Sequence, residues 1–258
     1  MRLFSLKICR QLAECCAYWL IESTIIQSDC IVGSAGEESL RTFEWWEDRV
    51  LRGSGKKPSI KKLSRAADAY EENLLNKNIL LVGVWKDRIN YIELRFLGRH
   101  FQHLTGVKTK ENISAKLFWK KCKNHELSEG ELKDIRGGFV GQKLAIARQL
   151  FMPEGSMKSF GSPNGSRLNV EVDFFAGDHR GCMGFKKYEG TYYDPNTLLK
   201  ASVDGEIRVR ERFKVVGVFS KATRDRGYRN ALRVDTRVDW DSIAQSLPNE
   251  LSHVAKLL

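Results

Sequence analysis

His103 sits in the stretch Phe101-Gln102-His103-Leu104-Thr105-Gly106-Val107-Lys108, between an alternating strand and a glycine turn. An imidazole titrates near neutral pH, so His103 can take or give a proton. Two residues on, Thr105 can donate a hydroxyl hydrogen bond, and Lys108 can meet negative charge. That trio suits chemistry on a phosphodiester. Spacing alone equally allows His103 to be a half-buried turn residue bonded to backbone.

The elements that must position it are legible on both sides. Residues 91–96 alternate, with Ile92, Leu94 and Phe96 on one face and Tyr91, Glu93 and Arg95 on the other, as a half-buried strand should. A mostly apolar strand over residues 79–85 precedes it, joined through Lys86-Asp87-Arg88. Ahead of that, Ser59 can cap a helix carrying Ile60, Leu63, Ala66, Ala67, Tyr70, Leu74 and Leu75, with Asn76 as its stop. After the histidine come a helix over residues 114–122, a capping box from Ser128 to Glu131, and a helix over residues 140–151. Residues 153–166, rich in Pro, Ser and Gly, form a loop long enough to be mobile or functional.

Strand patterns then take over. Residues 168–175 alternate and 182–188 pair back on them, while Asp194-Pro195-Asn196-Thr197 makes a turn into a strand over 198–203. Asp204-Gly205 is a hairpin signal before the last long strand. There Ile207, Val209, Phe213 and Val215 take one face, and Arg208, Arg210, Arg212 and Lys214 the other. From Gly205 to Arg233 nine basic residues stand against three acidic ones. Four cations on one strand face repel one another, and a run of phosphates would relieve this; a soluble edge strand protected by charge is the alternative. Asp239 or Asp241 caps a final helix.

The N-terminal part reads as two helices, over residues 3–27 and 38–52, closed by a Gly-Ser-Pro linker at 52–58. The adjacent Trp45 and Trp46 could stack on bases or divide between core and rim. With 42% hydrophobic residues the chain can bury a core, which excludes a disordered tail. Forty-three Lys and Arg against 32 Asp and Glu give +11, favouring a polyanionic partner. The six cysteines show no regular framework and no CxxC pair, as expected of reduced thiols in a cytoplasmic protein. His179 and Cys182 alone have ligand-like spacing and lie among glycines, so neither metal nor cofactor is expected. No apolar run approaches the roughly 20 residues of a membrane span.

The region from about residue 60 to 233 resembles the fourth phage type of the Barnase-EndoU-colicin-RelE nuclease superfamily. The resemblance lies in a helix ending Asn73-Leu74-Leu75-Asn76, a strand pair, the motif Phe101-x-His103-Leu104-x-Gly106, then helices and a sheet of late strands. It implies an α+β fold with helices on one side of an antiparallel sheet whose open face takes RNA, and cleavage without metal. Val107-Lys108-Thr109-Lys110 lacks a second histidine found in many members, and residues 155–165 look like an insertion. The implied organisation is a helical N-terminal subdomain (1–57), the nuclease domain (58–236) and C-terminal helices (237–258).

On this reading His103 is base or acid, Lys108 and Lys221 hold the phosphate, and Thr105 hydrogen-bonds it. Tyr228 supplies the second proton or stacks on a base, and Arg95, Arg99, Arg208, Arg210, Arg212 and Lys214 track the RNA. The product would carry a 2′,3′-cyclic phosphate. Such a protein acts as a bacterial or phage-conflict toxin, with an antitoxin or immunity protein as a second partner covering the basic face. Two alternatives are a non-catalytic nucleic-acid-binding protein using the same basic sheet, and an ADP-ribosyltransferase, whose nicotinamide site also takes histidine, tyrosine and glutamate from strands.

Overall fold

The computed structural model describes residues 58–110, 113–133, 139–165, 170–187, 190–203, 205 and 207–257. The expected N-terminal helices and the tryptophan pair lie outside the described residues. Helix α1 (Ile60–Asn73) follows Ser59 and buries Leu63, Ala66, Ala67 and Tyr70, the stripe its 3.6-residue period predicts. Its end is set by Asn76, which takes the left-handed conformation (φ 55°) that asparagine tolerates. Strands β1 (Lys77–Trp85) and β2 (Arg88–Phe96) form an antiparallel hairpin in continuous register from Lys77↔Phe96 to Trp85↔Arg88.

The histidine segment then folds as a short helix, α2 (His100–Thr105), rather than as an open turn. Phe101 and Leu104, three residues apart, are both fully buried, and this spacing puts them on one helical face. Gly106 closes the helix at φ 68°, its N–H reaching the Gln102 and His103 carbonyls at 3.0 and 3.1 Å. Next come α3 (Ala115–Lys123), whose Ser114 side chain accepts from the Leu117 N–H, a 3₁₀ turn over Glu129–Glu131 opened by the capping box of Ser128 and Glu131, and α4 (Phe139–Leu150).

Beyond α4 the pattern departs from expectation in several places, and the strand expected from Ile207 begins only at Phe213. The Pro/Ser/Gly stretch is not a long loop: it holds α5 (Pro153–Ser156) and strand β3 (Ser159–Gly161), drawn inward by the fully buried Met157 and Phe160. Strand β4 (Phe174–Gly177) covers only the end of the strand expected over 168–175, and residues 170–173 form none. After β5 (Cys182–Lys187), the expected turn at Asp194-Pro195-Asn196-Thr197 lies inside strand β6 (Tyr193–Leu199). Turn chemistry loses there because Asp194 and Asn196 find long-range partners and Pro195 sits at a register shift, where a missing N–H costs little. Strand β7 (Phe213–Ala222) is followed by β8 (Asn230–Val234), α6 (Trp240–Ser246), α7 (Asn249–Ser252) and a 3₁₀ turn over His253–Leu257. As read from sequence, Asp239 caps α6, accepting from the Asp241 and Ser242 N–H groups.

The fold is α+β. Its eight strands are ordered β1-β2-β6-β5-β4-β3-β7-β8, and a further β1–β7 pairing closes seven of them into a ring. Among the described residues the strand pairings are antiparallel except a single parallel bridge, Leu94↔Tyr193, between β2 and β6. Helices α1 to α4 fill one face, where Leu63, Tyr70, Phe101, Phe118 and Phe151 meet Ile79, Leu94, Phe96 and Phe185 of the sheet. On the opposite face of β1 and β7, α6, α7 and the last turn cover Leu80, Val82, Val216 and Phe219.

Candidate functional site

Two histidines of α2 are set against β6. His100 and His103, one turn apart, both point at this strand. The His100 Nδ1 accepts from the Leu97 N–H at 3.2 Å, which leaves the ring proton on Nε2, 3.6 Å from Asp194 Oδ2. Asp194 also accepts two bonds of 2.9 Å from Arg95, and Arg99 approaches it at 3.6 Å. Burial alone would push the Asp194 carboxyl up, but hydrogen bonds from His100 and Arg95 and the charge of Arg95 hold it well below the carboxylate range.

His103 Nε2 lies 2.9 Å from Asn196 Oδ1. The Asn196 amide is oriented in turn, its Nδ2 donating to the Glu171 carbonyl at 2.8 Å. Because Oδ1 only accepts, His103 donates from Nε2, and in the neutral ring Nδ1 is the basic nitrogen. Half-burial lowers the His103 pKa, an effect the Asn196 bond opposes and nearby Lys143 and His100 reinforce. Lys143 projects from the inner face of α4, is 3% exposed, and places its amine 4.6 Å from the centre of the Phe139 ring. Burial pulls its pKa down to about 8. A Cβ at Gly106 would stand 3.2 Å from Lys143 Cδ, so the glycine that ends α2 also admits this side chain.

The second part of the site is a row across three strands. Asn78 of β1 pairs with Arg95 of β2 on one side and Lys221 of β7 on the other, so the three side chains share one end of this sheet face. Asn78 is fully buried and neither its Oδ1 nor its Nδ2 has a partner. An amide left so costs about 1–3 kcal/mol. Lys221, 6% exposed, has its amine 4.6 Å from the Tyr228 ring centre and 5.7 Å from that of Tyr192, with Glu93 at 4.0 Å. Tyr228 donates to Glu93 at 2.7 Å, and burial followed by the Glu93 charge raises its pKa far above normal.

Of the residues singled out from sequence, the structure brings together Arg95, Arg99, Lys221 and Tyr228, with His103 on the adjoining α2–β6 seam. Others are placed elsewhere. Thr105 is fully buried and its hydroxyl donates to Gln102 O within α2, so it cannot hold a substrate phosphate. Lys108 has an exposed side chain past the end of α2, on the segment that bridges to residues 131–133. Tyr228 is committed to Glu93 and underlies Lys221, which makes it a positioning residue rather than a proton donor. Arg208, Arg210, Arg212 and Lys214 alternate outward as expected, but regular β7 begins at Phe213; Arg208 and Arg210 run beside residues 162–164, and Lys214 is at the far end of β7 from Lys221. Sequence reasoning missed Asn78, His100, Lys143, Asp194 and Asn196. Lys143 carried a signal, a lysine on the apolar stripe of Val140, Leu144 and Ala147; Asp194 and Asn196 were masked by their turn-like order.

Among the described residues no group of three His, Cys, Asp or Glu is placed to hold a metal ion, and no helix is long and apolar enough to cross a membrane. Comparison with curated proteins and with solved structures gives no match. The family model described as phage-Barnase-EndoU-ColicinE5/D-RelE like nuclease matches residues 62–235, from the first turn of α1 to the residue after β8. The matched span contains every residue of the polar track from His103 to Lys221, and the chain belongs to this family of nucleases, in its fourth group.

Proposed function

We propose that the protein is an endoribonuclease that works without a metal ion. Neutral His103, held by Asn196, takes the proton from a ribose 2′-hydroxyl. The 2′-oxygen then bonds to phosphorus as the bond from phosphorus to the 5′-oxygen breaks. Lys143, still mostly protonated at neutral pH with a pKa of about 8, returns a proton to the departing 5′-oxygen. Arg95, Arg99 and Lys221 offset the charge that builds on the phosphorane. The product carries a 2′,3′-cyclic phosphate.

What carries this reading is a run of charged and polar side chains on one seam: Asn196, His103, His100, Asp194, Arg95 and then Lys221, beside the unpartnered amide of Asn78. Burial lowers both pKa values, which leaves His103 neutral and able to take a proton near neutral pH and brings Lys143 down toward the range in which it can give one. The phage type of the family favours a toxin in conflict between phage and host, restrained by a protein that covers the site. The chemistry is tested by 2′-deoxy substitution in a defined RNA kept in excess chelator. A single deoxy residue 5′ to the scissile bond should abolish cleavage there, and 3′ ends should be cyclic phosphates; cleavage through a deoxy position excludes 2′-hydroxyl attack.

A further inference from the structure

At the other end of the β1–β7 pair lies a groove of about 720 Å³ lined by Lys86, Lys158, Arg212, Lys214, Arg233 and Arg237, with Asp235 the one acidic residue of its lining. Asp235 is already shared, at 2.8 Å from Arg237 and 3.2 Å from Lys214. Arg233 is fixed by carbonyls of Glu154 and Met157 at 2.6 and 2.7 Å, which orient its charge without neutralising it. Lys158 is exposed beside it, and burial together with the Arg233 charge lowers its pKa. Backbone carbonyls hold Arg233, and Asp235 holds Arg237 and Lys214 beside it, so the fold maintains a positive concavity that an anion would relieve.

The ligand class is indicated by Trp85. Its half-buried ring lines the groove, packs against Phe213 at 6.2 Å between centres and carries the Lys86 amine at 4.6 Å. A fixed indole among phosphate-seeking cations fits a nucleic-acid strand, whose bases stack as its phosphates pair, better than an acidic protein. Position adds scale. Seven residues separate Asn78 from Trp85 along β1, and Lys221 from Lys214 along β7, or roughly 23 Å at the rise of a strand.

We infer that this groove is a second RNA-binding site, about 23 Å along the strands from the Asn78 end of the sheet. It rests on the ribonuclease reading and narrows it to long or folded RNA. A stacked strand advances about 3.4 Å per nucleotide, so a dinucleotide bound at Asn78 cannot reach Trp85.

The test is the double variant Lys86→Glu with Lys158→Glu, two exposed positions outside the cleavage site, compared with wild type on a dinucleotide and on an RNA of tRNA length. On the long RNA, kcat/KM should fall about tenfold or more and its salt dependence should weaken, with dinucleotide cleavage unchanged. Equal losses on both substrates, or none on either, overturn the proposal, the second outcome leaving the groove to an acidic protein. If wild type cuts neither RNA the ribonuclease reading fails, and binding decides the groove alone: weakened affinity of the double variant for long RNA supports it, and unchanged affinity overturns it.

Discussion

His103 was visible from sequence because a histidine after a clean strand and before a glycine is easy to see, but its properties come from residues far along the chain. Asn196 fixes its tautomer, and half-burial lowers its pKa. Above that lowered pKa the ring is neutral, so cleavage should hold at pH 6.5 and fall only as pH drops through the lower value. Because the Asn196 bond raises the pKa, Asn196→Ala should move this acidic limb to lower pH as well as slowing the reaction; a limb that stays put removes Asn196 from its positioning role. Lys143 gives a prediction of opposite kind. Its pKa falls from the ordinary 10.5 to about 8 on folding, so between those values the unfolded chain binds more protons and stability rises with pH. Lys143→Met should abolish that rise and stabilise the protein at pH 7 by up to about 3 kcal/mol. Urea unfolding of both proteins at pH 7 and pH 10 measures it, and the same variant should cut RNA more slowly.

At the scale of elements, what sequence could show was whatever local pattern and long-range contacts agreed on. Helix α1 and the β1–β2 hairpin satisfy their own periodicity, although Ser59 makes no side-chain cap bond to α1, while α3 and α6 also satisfy their caps. Strand β6 does not, since Asp-Pro-Asn-Thr is turn chemistry until Arg95, His100 and His103 claim its polar side chains. Strand β3 hides Phe160 among small residues and prolines, and no window of its sequence reveals the strands that flank it. The placement of the C-terminal helices depends on one close approach. A Cβ at Gly217 would come within 2.5 Å of Trp240 Cη2 and 2.7 Å of Phe219 Cε2. Gly217→Val should therefore lift α6 from the sheet and cost on the order of 1–3 kcal/mol, read as a lower urea midpoint. An unchanged midpoint would mean that Trp240 can turn away freely.

At the scale of the molecule, the ring of strands carries polar clusters at both ends of the β1–β7 pair. Helices α1 to α4 fill one face, and the C-terminal helices pack on the other, with Asn78, Arg95 and Lys221 at one end of β1 and β7 and the Trp85 groove at the other. The α+β class was implied by the family resemblance, whereas ring closure through β1–β7 is a non-local pairing that no sequence window contains. The basic surplus of the chain is thus not one painted strand; Arg208 to Lys214 and Lys221 serve separate regions. The claim on which the functional reading depends is that His103 does chemistry and not merely binding. Wild type and His103→Ala should be compared on one labelled RNA in excess chelator, with cleavage and affinity measured in parallel. The expected result is cleavage by wild type alone with equal affinity in both; full cleavage by His103→Ala would contradict it.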